Sequence, residues 1–128
     1  MTEPTRFLLD SNICIAFLAA GGEGLRARVR LHRDQLVTSS ICFGEVMLGF
    51  ERAGAEAGLS AARALFGFVT VLPYDKAAAD QYSRLPFRRG RLDRLIAAQC
   101  LSLGAVLVTA NVADFSDIPS LRVENWLV

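Results

Sequence analysis

The chain is poor in the residues that build thiol and imidazole sites. It has three cysteines, Cys14, Cys42 and Cys100, each among apolar neighbours and none in a C-x-x-C pair, and His32 is its only histidine. A structural zinc site is therefore not expected. Three buried, reduced thiols in a reducing compartment are. A large charge excess is also missing: the formal net charge is +1, so bulk charge does not announce a polyanion partner. No apolar run reaches the roughly 20 residues of a membrane span, because Gln99, Ser102 and Gly104 interrupt the longest one. Ile13 to Ala20 has the apolar character of a secretory core, but Asp10, Ser11 and Asn12 break the run and Glu3 spoils a basic leader, so a cytoplasmic protein is expected. Internal repeats, low-complexity tracts and interdomain linkers are absent. The 128 residues, 52% of them hydrophobic, fit one domain over 1–128.

What is present is an alternation of short apolar runs with helical patterns. Strands are predicted over Arg6 to Leu9, Gln35 to Thr38, Val69 to Leu72, Ala105 to Val108 and Leu121 to Val123. Between them lie helical patterns: one capped by Asn12 and ended by Gly21-Gly22, one over Glu23 to His32, one capped by Ser39 or Ser40, and one over Leu59 to Phe66. Two more follow, over Lys76 to Leu85 and from Leu92 to Leu103, the last with Gly104 as its C′ residue. Phe43, Val46, Met47 and Phe50 keep i, i+3, i+4, i+7 spacing and read as core, or as an apolar groove for a partner helix. The implied class is α/β: a short, mostly parallel central sheet with helices on both faces. In such sheets ligands collect beyond the carboxyl ends of the strands.

Four acids fall at that edge: Asp10 after Phe7-Leu8-Leu9, Glu45 early in the third helix, Asp93 in Arg91-Leu92-Asp93-Arg94, and Asp114 in Asn111-Val112-Ala113-Asp114. Two carboxylates about 5 Å apart repel by roughly 3 kcal/mol at an effective dielectric of 20. A proton or a cation must neutralise such a cluster. All-oxygen ligation suits Mg²⁺ or Mn²⁺, which points to metal-assisted attack on phosphate esters. Ser11, Asn12, Thr109 and Asn111 add neutral groups that can orient water or phosphate. Arg88, Arg89 and Arg91 beside Asp93 are candidates for contact with substrate phosphates. Each acid also has an ordinary reading: Asp10 and Asp114 as turn or capping residues, Glu45 and Asp93 as first-turn acids favoured by the helix dipole. Asp75, Asp80 and Asp117 read as surface or turn acids.

Taken together, Leu8-Leu9-Asp10-Ser11-Asn12, Thr38-Ser39-Ser40 through Glu45 and Gly49, Asp93-Arg94-Leu95-Ile96-Ala97-Ala98-Gln99, and Leu107-Val108-Thr109 through Asn111 and Asp114-Phe115 resemble the four ordered motifs of PIN-domain ribonucleases. The closing Leu121-Arg122-Val123-Glu124-Asn125-Trp126 is similar to the tail of many bacterial members, and the size is that of the VapC type, the toxin of type II toxin-antitoxin pairs. The resemblance implies an Mg²⁺- or Mn²⁺-dependent endoribonuclease that hydrolyses RNA phosphodiesters with a metal-activated water. It also implies a homodimer, held silent in a higher assembly with a cognate antitoxin. It assigns Asp10, Glu45 and Asp93 as metal-holding catalytic acids and Asp114 as the fourth catalytic acid. Two departures stand out: Ser11 where threonine is common, and a short Pro86-Phe87-Arg88-Arg89-Gly90-Arg91 approach to Asp93. The alternatives are a catalytically idle PIN-like domain that binds RNA or protein, and a receiver-type signalling domain. The receiver needs a second acid beside Asp10 and a late lysine; Lys76 is the only lysine.

Overall fold

The computed structural model describes residues 4–87 and 92–128. Its centre is a five-stranded sheet in the order β3-β2-β1-β4-β5, parallel at every pairing. The strands are β1 (Phe7–Leu9), β2 (Leu36–Ser39), β3 (Thr70–Leu72), β4 (Val106–Val108) and β5 (Arg122–Glu124). The helices are α1 (Ser11–Leu18), α2 (Glu23–Leu31), α3 (Ser40–Ala53), α4 (Glu56–Phe68), α5 (Lys76–Tyr82) and α6 (Leu92–Leu103). Short 3₁₀ turns cover Arg33–Gln35 and Val112–Phe115.

Side chains alternate across each strand, and both faces are covered. Phe7, Leu9, Leu36, Val106 and Val108 pack with residues of α1 to α4 on one face. Leu8, Val37 and Leu107 pack with Ile96, Ala97 and Cys100 of α6 on the other. That two-sided burial is why β1 and β4 read as unbroken apolar runs. The edge strands β3 and β5 are only half-buried. Cys14, Cys42 and Cys100 are buried and free, as expected, and burial pushes the Cys100 thiol up to about 12. His32 lies against the rings of Phe7 and Trp126.

Local chemistry sets where elements start and stop. Ser39 caps α3, its Oγ accepting from the Ile41 amide at 3.0 Å, and Gly54 ends that helix in the left-handed region at φ +62°. Gly104, also at φ +62°, turns α6 into β4. The cap of α1 differs from the sequence reading. Asp10, not Asn12, caps it: Asp10 Oδ1 accepts from the Ile13 amide at 2.9 Å, and Asn12 lies inside the helix. The reason is that β1 ends at Leu9 and leaves Asp10 extended, so its carboxylate reaches the third helical amide.

Phe43, Met47 and Phe50 are half-buried. Phe43 meets Phe66 of α4 edge-on at 5.0 Å between centroids, and a side chain on Gly58 would strike the Phe50 ring. They pack α3 onto α4, which favours the core reading over an open groove. Gln99, nearly inaccessible, donates to the Leu72 and Pro73 carbonyls at 3.3 and 3.1 Å and ties α6 to the end of β3.

A candidate active site at the carboxyl edge of the sheet

Strand order reverses between β1 and β4: the chain fills the sheet outward from β1 to β3, then returns to the other side of β1. At such a switch point the connections leave on opposite sides and open a crevice. Asp10 follows β1 and Thr109 follows β4, side by side, because Leu9 and Val108 are in register. The Asp10 amide donates to the Val108 carbonyl at 3.1 Å, and the Thr109 amide to the Glu124 carbonyl at 3.0 Å. Just below, Thr38 Oγ1 donates to the Leu9 carbonyl at 2.7 Å and pins β2 to the end of β1.

A cleft of about 200 Å³ opens there, and all four predicted acids, Asp10, Glu45, Asp93 and Asp114, line it. They arrive on four separate segments: the end of β1, the second turn of α3, the first turn of α6 and the 3₁₀ turn over Val112–Phe115. Ser11, Asn12, Thr109 and Asn111 line the same cleft, and Ile96, Leu107 and Phe115 form apolar wall. Every expected site residue among those described is therefore gathered in one place. Arg88, Arg89 and Arg91, expected at RNA phosphates, lie outside the described residues.

Ser11 Oγ donates to Glu45 Oε1 at 2.6 Å, fixing an otherwise exposed carboxylate against α1. Thr109 Oγ1 accepts from the Asn111 amide at 3.1 Å and also hydrogen-bonds the Asp10 carboxyl. Burial, with a smaller push from the Glu45 charge, raises the Asp10 carboxyl above the ordinary carboxylate range, against the opposing hydrogen bonds from Thr109 and Ile13. Among the described residues, no group of three His, Cys, Asp or Glu side chains can hold a metal ion as arranged. The donors share a cleft without forming a closed cage.

A raised carboxyl means that the folded state binds that proton more tightly than the unfolded chain does. Ionised Asp10 thus opposes folding at neutral pH, and the penalty fades as pH falls through its raised folded-state range. Asp10→Asn removes the charge but keeps an oxygen for the Ile13 amide. In chelator at neutral pH this variant is expected to melt about 2 °C or more above wild type, with the gain shrinking in mildly acidic buffer. Calorimetry at two pH values checks it; a lower melting temperature at neutral pH contradicts it.

In the sequence Arg94 is one of several arginines around Asp93, and Asp117 reads as a surface or turn acid. The structure joins them. Arg94, 2% exposed, donates from Nη1 and Nη2 to Asp117 Oδ1 and Oδ2 at 3.0 and 2.8 Å. Sequence separation of 23 residues hides this pair. The signal available was a cation in the first turn of a helix, where the dipole disfavours it. Asp75 caps α5 and Asp80 pairs with Arg84 on the surface, as turn and surface acids should.

A parallel α/β sheet with an acid-lined crevice at its switch point defines the class of this protein. The chain belongs to the PIN-domain family, whose description as a PIN domain fits residues 7–121, and within it to the VapC type. It is 33% identical to the tRNA(fMet)-specific endonuclease VapC of Salmonella typhimurium, over 94% of this chain and 98% of that protein. Among solved structures, DNA-bound VapBC from Salmonella typhimurium superposes with a TM-score of 0.87 at 31% identity, covering 96% of this chain and 99% of that one. VapBC-1 from nontypeable Haemophilus influenzae gives 0.81 at 30% identity, covering 97% and 100%.

Proposed function

We propose that this protein is a divalent-metal-dependent endoribonuclease, the toxin of a toxin-antitoxin pair. The carrying observation is that four carboxylates from four segments face one small cleft at the sheet's switch point. The relatives' names, tRNA(fMet)-specific endonuclease and VapBC, support RNA as substrate and a protein antitoxin as partner. In this reading the protein works in the cytoplasm as a homodimer, in a larger assembly with the antitoxin, and residues 1–128 form one nuclease unit. No helix among the described residues is long and apolar enough to cross a membrane.

The residues fit a hard cation. The donors are all oxygen, and the Glu45 charge already opposes ionisation of Asp10, so a cation held in the cleft would relieve both desolvation and repulsion. Mg²⁺ keeps several waters and takes only one or two carboxylates directly, which an open cleft without a closed cage can provide. Asp10, Glu45 and Asp93 would hold the ion, directly or through water. When bound, it supplies Lewis-acid polarisation of the phosphate and a more acidic water. Around it, Ser11 keeps the Glu45 carboxylate turned inward, and Thr109 fixes the rotamer of Asp10. Asp114, in the 3₁₀ turn over Val112–Phe115 that lines the cleft, would orient water there. Asn12 and Asn111 can donate to phosphate oxygens without adding charge. Arg88, Arg89 and Arg91 steer the RNA backbone in this reading.

The direct test is the purified protein, free of antitoxin, incubated with RNA that includes an initiator tRNA. Cleavage in Mg²⁺ or Mn²⁺ leaving 5′-phosphate ends, lost in chelator and restored by excess metal, is the expected result. Cleavage undiminished by chelator overturns the mechanism. Failure to bind Mn²⁺ in calorimetric titration supports the idle RNA- or protein-binding alternative.

A further inference from the structure

We propose that Arg94 and Asp117 form a positioning pair that sets how Asp93 and Asp114 are placed in the cleft they both line. This rests on the nuclease reading. Arg94 stands beside Asp93 in the first turn of α6, where a cation opposes the helix dipole, and its guanidinium is removed from water. A buried cation needs a partner with matched geometry. Arg94 has one in the carboxylate of Asp117, gripped through both oxygens.

The same guanidinium reaches two further segments. Nη1 donates to the Asp114 carbonyl at 3.5 Å and Nη2 to the Pro86 carbonyl at 3.3 Å. One side chain thereby joins the start of α6, the approach to it, and the turn that carries Asp114. Consecutive helical residues point about 100° apart. Fixing Arg94 on the 114–117 turn therefore fixes the rotation of the first turn of α6, and with it the direction of Asp93. The Asp114 backbone is held by the other end of the same fork. Buried ion pairs add little net stability compared with apolar packing, so placement is the better account of this pair.

Lysine keeps the charge of Arg94 but cannot span two carboxylate oxygens and two carbonyls. Asp117→Asn keeps the shape and one acceptor but loses the charge. For both Arg94→Lys and Asp117→Asn, the Mn²⁺ dissociation constant from calorimetric titration is expected to rise about tenfold or more. kcat on RNA falls while KM stays within about twofold, and metal-free amide exchange at 113–117 quickens. The double variant is no worse than the weaker single one, because the pair acts as a unit. Folded variants with wild-type Mn²⁺ affinity, even at a lower melting temperature, overturn the proposal, since a merely stabilising pair gives that pattern. Should Arg94→Lys fail to fold, Asp117→Asn decides alone. If wild type neither binds Mn²⁺ nor cleaves RNA, the nuclease reading falls and this proposal with it. If wild type does both and the variants match it, the pair alone is refuted.

Discussion

Asp93→Asn is expected to lower the single-turnover rate of RNA cleavage by at least about 10³-fold while leaving the fold intact. Removing one preorganised neutral donor from a reacting site costs about 10²–10³, and a full negative charge facing a divalent cation counts for more. Asparagine keeps the shape and one oxygen, so the loss reports charge, not packing. Asp93 is half-buried on the first turn of α6, where the helix backbone fixes its position in the cleft. Asp10→Asn should match it, because Asp10 is fixed at both ends, by the Ile13 amide and by Thr109. Glu45→Gln should fall by less, about 10–100-fold, since Glu45 is exposed and held chiefly by Ser11. Activity of Asp93→Asn within tenfold of wild type, measured with the protein in excess over labelled RNA, would remove this acid from the chemistry.

The ranking draws on features that were unequally visible in the sequence. The central strands were legible because β1 and β4 are buried on both faces, which writes an unbroken apolar run. The placement of Asp10 and Thr109 followed from those runs, since each stands one residue past a strand end. Helix α3 was legible through its serine cap and its apolar spacing. The sequence predicts a mostly parallel sheet, and every pairing is parallel.

Less was legible where two residues compete for one job or where partners are distant. Asp10 and Asn12 are both good caps. Only the end of β1 at Leu9 decides that Asp10 takes the role, so capping and cleft-lining are two tasks of one carboxylate and not rival explanations. The 3₁₀ turn over Val112–Phe115 has no periodic signature over so few residues, yet it buries Phe115 and aims Asp114 at the cleft. Helix α5 stops at Tyr82, short of Leu85, as a turn held by Ser83, Arg84 and Leu85 amides takes over. The Arg94–Asp117 pair is a tertiary contact, and no local pattern writes it.

Trp126→Ala is expected to give the largest stability loss of any substitution considered. Trp126 is wholly inaccessible and is the bulkiest fully buried side chain. Its ring lies 5.2 Å from Phe7 and 5.4 Å from His32, nearly parallel to the imidazole, and its indole N–H donates to Glu124 Oε1 at 2.9 Å. Truncating a buried tryptophan costs about 3–5 kcal/mol, which in a domain of this size lowers the melting temperature by roughly 10–20 °C. Trp126→Phe keeps most of the apolar volume and should lose about half as much. The damage does not stay in the core. Glu124 ends β5 and accepts the Thr109 amide at 3.0 Å, and Thr109 in turn steadies Asp10. Loosening Trp126 therefore frees the strand that anchors one wall of the cleft. Amide exchange at Thr109 should quicken in Trp126→Ala well below its melting temperature, and Mn²⁺ affinity should weaken. A melting temperature within about 3 °C of wild type would mean that the aromatic cluster is not what closes this end of the sheet.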